Sequence, residues 1–228
     1  MKNLSNILIL TLLFSVATKA QKTKEAVLKK LDSQSEKYGS IAMQIWNLAE
    51  MGYLEDQSSS LLQETLSNEG FTIKKGVANI PTAFTAEYGS GLPIVAILGE
   101  FDALPGLSQQ AIPEKKSANG NAGHACGHHL FGTASAAAAI SVKQWMQSTK
   151  QKGTIRFYGC PAEEGGGAKV YMAREGLFDD VDIALHWHPG YQNAASAAAA
   201  LANISAKFFQ LFPKPLLTLD QLRLLKYD

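Results

Sequence analysis

The stretch Gly123-His124-Ala125-Cys126-Gly127-His128-His129 places three histidines and one cysteine, all able to bind metal, within seven residues. A run of small and helix-forming residues follows it, from Leu130 to Met146. Thiolate and imidazole are ligands that zinc and other borderline divalent ions prefer. Cys126 and His128 stand two positions apart around a glycine. Their spacing predicts two ligands that reach one metal centre from a tight turn at the start of a helix.

Apolar patterning on both sides of this stretch predicts strands that alternate with helices. The predicted strands are Pro93–Leu98, Thr154–Gly159 and Val181–Leu185, and Ala194–Ala206 fits a further strand. The predicted helices are residues 23–37, Ile41–Leu66 with a break near Gly52, Leu130–Met146 and Ala168–Gly176, and Gly39-Ser40 is expected to separate the first two. Such alternation is typical of an α/β fold with a mainly parallel, mixed sheet flanked by helices.

Polar side chains follow each of the three predicted strands. Asp102 comes shortly after the first strand, Glu163 and Glu164 after the second, and His188 after the third. Open α/β sheets bind ligands beyond the carboxyl ends of their strands. We therefore expect these side chains, although far apart in sequence, to converge on one crevice.

The adjacent carboxylates of Glu163 and Glu164 suit metal-assisted hydrolysis. If the segment is extended, neighbouring side chains point in opposite directions. One carboxylate then binds a metal while the other takes a proton from an activated water. The alternative is a solvated acidic turn before Gly165.

Two further positions are interpreted from local chemistry. His186 and His188 alternate along a strand end, which predicts that only one of them faces the crevice. Asp102 is suited to hydrogen-bond a ligand histidine and fix its tautomer, although a turn-capping role is equally compatible with the sequence.

Net charge, the N-terminal residues and the cysteine content limit the possible partners and the cellular location of the protein. The formal net charge of the 228 residues is +1, without a basic block, so nucleic-acid binding has no support. Lys2, the apolar core Ile7–Val16 and the small residues of Thr18-Lys19-Ala20 predict a signal peptide, residues 1–20, and a secreted or periplasmic protein with no membrane anchor after cleavage. The two cysteines, Cys126 and Cys160, could pair in an oxidising compartment, but the histidines around Cys126 favour a metal-bound thiolate.

Four ordered motifs carry a resemblance to a known family. They are Phe101-Asp102-Ala103-Leu104-Pro105-Gly106-Leu107-Ser108-Gln109, His124-Ala125-Cys126-Gly127-His128, Pro161-Ala162-Glu163-Glu164-Gly165-Gly166-Gly167-Ala168-Lys169 and Trp187-His188-Pro189. In these residues the chain resembles the amidohydrolase branch of the aminoacylase/zinc-exopeptidase superfamily.

The resemblance implies a function and a set of roles. It implies hydrolysis of the amide bond of an N-acyl amino acid such as p-aminobenzoyl-glutamate, or of a dipeptide-like substrate, with two divalent ions, Mn or Zn. It also implies that full-length members form homo- or hetero-oligomers. The implied metal ligands are Cys126, His128, Glu164 and His188, the implied general base is Glu163, and the implied orienting residue is Asp102.

The chain departs from the family pattern in two places. His129 stands where the family usually has Asp or Asn. After Lys207 the pattern stops, and residues 208–228 form an atypical Leu-rich tail that a frameshift or truncation would produce. Residues 21–207 are therefore expected to be the N-terminal part of a zinc-exopeptidase-like catalytic domain that lacks a final His ligand. The alternative to an active enzyme is an inactive remnant or a non-catalytic metal-binding subunit of the same fold.

Overall fold

The computed structural model describes residues 24–190. The predicted signal peptide, the predicted strand Ala194–Ala206 and the tail 208–228 lie outside this range. Within it, no helix has the length and apolar character needed to cross a membrane.

Helices and strands alternate along the described chain. The helices are α1 (residues 24–32), α2 (Ser35–Leu48), α3 (Asp56–Asn68), α4 (His128–Thr149) and α5 (Ala168–Arg174), with a short 3-10 helix at Val77–Asn79. The strands are β1 (Thr72–Lys75), β2 (Phe84–Ser90), β3 (Ile94–Gly99), β4 (Leu104–Pro105), β5 (Ala122–Gly123), β6 (Gly153–Gly159) and β7 (Ile183–Leu185).

Five strands form one mixed sheet in the order β1-β2-β6-β3-β7, while β4 and β5 form a separate two-stranded ladder. The pairs β1–β2 and β2–β6 are antiparallel, and the pairs β6–β3 and β3–β7 are parallel. The predicted α/β class is confirmed. The parallel half of the sheet is the one that carries the acidic and histidine motifs, because β6, β3 and β7 all end at the same edge.

Helix α4 packs closely against the sheet. Its buried face carries the small residues Ala136 and Ala139, and Gly132 lies over β3. A methyl group at Gly132 would come within 2.5 Å of the carbonyl oxygen of Glu100. The absence of that side chain lets the helix approach the strand end, and the predicted close packing of an Ala-rich helix is confirmed.

The break predicted at Gly39-Ser40 is wrong, because α2 runs through both residues and α1 ends near residue 32. The apolar face of α2, which includes Tyr38, Ile41 and Ile45, is buried in the main core. That burial outweighs the roughly 1 kcal/mol helix penalty of a single exposed glycine. The break predicted near Gly52 is confirmed, since α2 ends at Leu48 and α3 begins at Asp56.

Candidate active site

Three neighbouring parallel strands deliver the site residues. Strand β3 leads into Glu100 and Asp102, β6 leads into Glu163 and Glu164, and β7 leads into His188. The expected convergence at one sheet edge is what the structure shows. Because β3 lies between the other two strands, its acidic residues lie in the middle of the cluster.

The start of α4 brings two further side chains to the same place. Gly127 is the N-cap residue, with φ of 86°, and a methyl group there would come within 3.0 Å of the Pro189 ring. A residue with a side chain would be strained in this left-handed conformation and would crowd the proline. The glycine therefore permits the turn that directs Cys126 and His128 toward the strand ends.

His128 is fully buried, and Asp102 fixes its orientation. The imidazole Nδ1 lies 2.9 Å from Asp102 Oδ1, and Asp102 Oδ2 accepts the backbone N–H of Glu164 at 2.9 Å. A carboxylate accepts only, so Nδ1 carries the proton and Nε2 is left to face the cluster. Asp102 thus ties the histidine to the turn that holds both glutamates.

Two groups of potential ligand atoms surround His128. Cys126, His128 and His188 form one group, and Glu100, His128 and Glu163 form the other, with the ligand atoms of each group within 4.8 Å of one another. Cys126 Sγ and His188 Nε2 are 3.3 Å apart. Since Nδ1 of His128 is engaged by Asp102, both groups depend on the single lone pair of Nε2. A second ion would have to bind the other donors.

Buried polar atoms without partners indicate that this site fits a cation. His128 Nε2 and Glu164 Oε1 have no hydrogen-bond partner among the described residues. Glu100 Oε2 lies 3.0 Å from His128 Nε2, but at an angle that does not form a hydrogen bond. Buried polar atoms are rarely left unpaired. Sulfur, imidazole and carboxylate donors together suit a divalent ion such as Zn or Mn.

The two adjacent glutamates lie in a turn, so the expectation of an extended segment is wrong. Ala162 has φ of 54°, and its carbonyl accepts the N–H groups of Gly166 and Gly167 at 2.9 and 2.7 Å. The turn places Glu163 Oε2 and Glu164 Oε1 each 3.9 Å from His128 Nε2. Both carboxylates therefore face the same histidine, and they differ in exposure: the Glu163 side chain is 44% exposed and that of Glu164 is 18% exposed.

Both histidines after β7 reach the cluster, which corrects the expectation that only one would. His188 contacts Cys126, and His186 Nε2 lies 3.4 Å from Glu100 Oε1. The alternation rule fails here because β7 ends at Leu185, so neither histidine belongs to the strand.

Glu100 is a site residue that was not predicted from the sequence. Its buried carboxylate also forms an ion pair with Lys169, at the start of α5. A signal was present, since Glu100 directly follows a buried strand and stands two positions before Asp102. Its ion pair with Lys169 could not be inferred from the sequence, because the two residues are 69 positions apart.

The negative charges of the cluster shift the pKa values of its members. Burial lowers the pKa of His128, but the neighbouring carboxylates of Asp102 and Glu100 outweigh it and raise the pKa to about 10. Burial and the nearby Glu164 raise the pKa of Cys126 to about 12. Burial also works to raise the pKa of Glu100, yet His128, His186 and Lys169 hold it well below its usual range. Without a metal, the Cys126 thiol therefore stays protonated at neutral pH, and His128 carries a second proton, on Nε2.

The other two histidines of residues 123–129, His124 and His129, lie outside the two groups of ligand atoms. His124 Nε2 lies 3.0 Å from the Ile45 carbonyl oxygen, and the His124 and His129 rings are 5.1 Å apart beside Trp46. Burial lowers the pKa of each to about 4. We therefore interpret His124 and His129 as neutral, buried side chains that pack on Trp46 beside the site and do not bind metal.

The second cysteine does not belong to the cluster. Cys160 is buried in a small core on the other face of the sheet, with Met172 and Tyr158, and both Cys126 and Cys160 are free thiols in the described chain.

Residues 96–219, more than half of the chain, match the model of peptidase family M20/M25/M40. The chain belongs to this family. The resemblance stated from the four motifs is thereby confirmed, and the motifs all lie within the matched range.

Known hydrolases are similar over most of this chain. A subunit of the p-aminobenzoyl-glutamate hydrolase of Escherichia coli is 48% identical over 180 residues, which cover 78% of this chain and 37% of that protein. The Xaa-Arg dipeptidase of Mus musculus is 30% identical over 193 residues, 79% of this chain and 41% of the relative. The chain spans less than half the length of these relatives.

Solved structures confirm the fold. A dinuclear metal binding peptidase of the M20 family from Bacillus subtilis superposes with a TM-score of 0.58 at 24% identity, covering 67% of this chain and 42% of that one. An aminobenzoyl-glutamate utilization protein from Klebsiella pneumoniae gives a TM-score of 0.51 at 17% identity, over 70% and 45% of the two chains.

Proposed function

We propose that this chain carries the core of the active site of a metal-dependent amidohydrolase that cleaves N-acyl amino acids of the p-aminobenzoyl-glutamate type. The observation that carries the proposal is the convergence of Glu163 and Glu164 on Nε2 of His128, which has no hydrogen-bond partner in the described chain, while Asp102 holds the other ring nitrogen. The 48% identical relative, a hydrolase of p-aminobenzoyl-glutamate by name, supports the substrate class.

Each residue has a role that follows from its surroundings. Cys126, His128, Glu164 and His188 would hold divalent ions, Mn or Zn. Cys126, His128 and His188 form one group of ligand atoms, and Glu164 contributes a buried Oε1 that has no hydrogen-bond partner in the described chain. Glu100 and Glu163 form the second group with His128. When bound, such ions lower the pKa of water and polarise an amide carbonyl.

We assign the proton transfer to Glu163. Its carboxylate is the more exposed of the two glutamates, so substrate and water can reach it. It takes a proton from the attacking water and passes it to the leaving nitrogen of the amide. Asp102 keeps His128 in the tautomer that presents Nε2 to the cluster.

The test is hydrolysis of p-aminobenzoyl-glutamate by the purified 228-residue chain with Mn²⁺ or Zn²⁺, followed by the release of glutamate. The same assay is made with a chain extended by the C-terminal half of a homologous M20 enzyme. Metal-dependent glutamate release that chelation abolishes is the expected result. If neither chain hydrolyses any N-acyl amino acid or dipeptide, the proposal is wrong.

The second candidate is an inactive remnant or a non-catalytic metal-binding subunit of the same fold. Metal content separates the two functions. Tight metal binding without hydrolysis, together with hydrolysis by the extended chain, supports the non-catalytic candidate.

We also propose that the protein is exported and acts within an oligomer. Export rests on the signal peptide predicted from residues 1–20, and it predicts a mature protein that begins at Gln21. N-terminal sequencing of the periplasmic or secreted protein tests it.

Assembly is suggested by the relative that is named as a subunit, and light scattering of the purified chain tests that proposal.

A further inference from the structure

A buried carboxylate outside the candidate ligand set contacts the turn that carries Glu163. Glu55, at the N-cap position of α3, has no exposed surface. Its Oε1 accepts the backbone N–H of Ala162 at 2.8 Å, and its Oε2 accepts the hydroxyl of Thr82 at 3.0 Å. We propose that Glu55 is a positioning residue that holds the Ala162 turn and thereby the general base, an inference that rests on the proposed function.

The Ala162 turn needs such support. Ala162 has φ of 54°, a left-handed conformation that costs a residue with a side chain roughly 1–2 kcal/mol. Its carbonyl already closes the turn by accepting the N–H groups of Gly166 and Gly167. The N–H of Ala162 is buried and is not used within the turn, so a group from another part of the chain must accept it. Glu55 supplies that acceptor across 107 residues of sequence.

Glu55 is free to do this because another residue caps its helix. An N-cap side chain ordinarily accepts the first free N–H groups of its own helix. Here the Glu50 carboxylate accepts the N–H groups of Gln57 and Ser58 at 3.0 and 2.8 Å, and Glu55 makes no side-chain cap hydrogen bond. Because Glu50 caps the helix, the Glu55 carboxylate is available to accept the N–H of Ala162.

The segment 50–55, which we call the bridging segment, is itself fixed to both acidic motifs. The Glu50 carbonyl accepts the Ala103 N–H at 2.8 Å, next to Asp102. The hydroxyl of Tyr53 donates to the Gly166 carbonyl at 2.7 Å. A methyl group on Gly52 would come within 3.0 Å of Ala162. Together with the hydrogen bond from the Glu164 N–H to Asp102, the bridging segment therefore fixes the turn that bears Glu163 to the strand end that bears Asp102.

The prediction for catalysis follows from the geometry. Loss of the Glu55 acceptor lets the Ala162 turn relax and moves Glu163 relative to His128. A displacement of about 1 Å of a reacting group can reduce the rate about 100-fold. Because the turn is proposed to hold the general base, kcat is expected to fall while KM changes little.

Four variants of the full 228-residue chain test the proposal. Glu55→Ala removes both contacts, whereas Glu55→Gln keeps an oxygen for Ala162 and an amide for Thr82. Thr82→Val is a milder change that frees Oε2 and leaves the turn contact in place. Ser59→Ala is the matched control, because it removes two buried hydrogen bonds of the same helix without touching the turn. The Ser59 hydroxyl donates to the Thr82 carbonyl at 2.7 Å and accepts from Gln63 Nε2 at 2.8 Å.

Two measurements are made on each variant. Hydrogen exchange of a peptide spanning residues 160–167 is compared with that of β6, and kcat and KM are measured where the parent chain is active. Glu55→Ala is expected to accelerate exchange at 160–167 about 10-fold or more and to lower kcat about 10- to 100-fold. Thr82→Val is expected to change the exchange rate and kcat in the same direction, but by less. Glu55→Gln and Ser59→Ala are expected to stay within about threefold of the parent.

The outcomes separate this inference from the proposed function. A parent chain without hydrolysis contradicts the proposed function, while the exchange data still decide whether Glu55 holds the turn. If Glu55→Ala does not fold, the exchange measured on Thr82→Val decides. Unchanged exchange at 160–167 in Glu55→Ala, or in Thr82→Val where Glu55→Ala does not fold, would overturn the positioning role, as would a Glu55→Gln chain as impaired as Glu55→Ala.

Discussion

The Nδ1 proton of His128 points to Asp102, whose carboxylate oxygen lies 2.9 Å away, and neither side chain is appreciably exposed. The histidine therefore cannot rotate without breaking a charge-assisted hydrogen bond in a dry environment. Its Nε2 is held in one direction before any ion arrives, so metal binding should depend on Asp102.

Replacing Asp102 with Asn should weaken metal binding by about 10- to 100-fold. An asparagine that accepts the His128 proton presents its amide nitrogen to the Glu164 N–H, so one of the two bonds of Asp102 is lost. Isothermal titration with Zn²⁺ measures the effect. Asp180→Asn, which changes an exposed carboxylate paired with Arg156, is the control and should leave the affinity unchanged.

Replacing Glu163 with Gln should lower kcat by about 100- to 10,000-fold and leave the metal content of the protein unchanged. The amide keeps the shape of the side chain but cannot take a proton. Glu164→Gln should instead reduce the metal content, because its buried Oε1 has no hydrogen-bond partner in the described chain. Metal analysis beside steady-state kinetics distinguishes the two, and equal metal loss in both variants would contradict the division of roles.

Metal affinity should rise steeply with pH. The pKa of Cys126 is raised to about 12 and that of His128 to about 10, so both hold a proton at neutral pH that a divalent ion must displace. Each displaced proton contributes about tenfold in affinity per pH unit while the pH is below the pKa of the group. We expect about 100-fold tighter Zn²⁺ binding per unit between about pH 7 and 9. Competition with a chelator of known affinity measures it, and a flat profile would contradict the assignment.

The thiol of Cys126 should contribute to the colour of a cobalt-substituted protein, and that of Cys160 should not. Cys126→Ser is expected to abolish the thiolate-to-cobalt charge-transfer absorption and to reduce the pH dependence of binding to about tenfold per unit. Cys160→Ala serves as the control, since Cys160 lies in a separate core. An unchanged cobalt spectrum in Cys126→Ser would remove Cys126 from the ligand set.

Replacing Gly132 with Ala should destabilise the protein by about 1–3 kcal/mol. The added methyl group would meet the backbone oxygen of Glu100 at 2.5 Å and a Leu62 methyl at 3.1 Å, so α4 or β3 must shift. Gly39→Ala is a matched control on α2, because no atom of the described residues outside the adjoining backbone of α2 lies within 4 Å of the added methyl group. It should stabilise the helix by about 0.5–1 kcal/mol. Urea unfolding of both variants tests the contrast.

The part of the fold that follows local patterns could be predicted from the sequence. Apolar runs indicated the strands that lead into Glu100 and Cys160. The ligand-binding edge of a parallel sheet then placed Asp102, Glu163 and His188 together. The Ala-rich character of α4 predicted its close packing on the sheet.

The parts that depend on tertiary contacts could not be predicted. The left-handed conformation of Ala162 has no local signal, since alanine rarely adopts it, and the error over the direction of Glu163 and Glu164 followed from it. Glu55 looks in sequence like an ordinary residue at a helix start. Its role depends on Ala162, which lies 107 positions away.

The parallel pairing of β3 with β6 and β7 also determines when the site can form during folding. Ile94 pairs with Thr154, and Val95 pairs with Ile183, so each ladder must close a loop of about 60 to 90 residues. Such non-local pairings form slowly, because the entropy of loop closure must be lost before any contact is gained. His188 follows the strand with the longest loop. A refolding chain therefore completes its metal-binding cluster only after the sheet has closed, and metal uptake can serve as a kinetic marker for that late event.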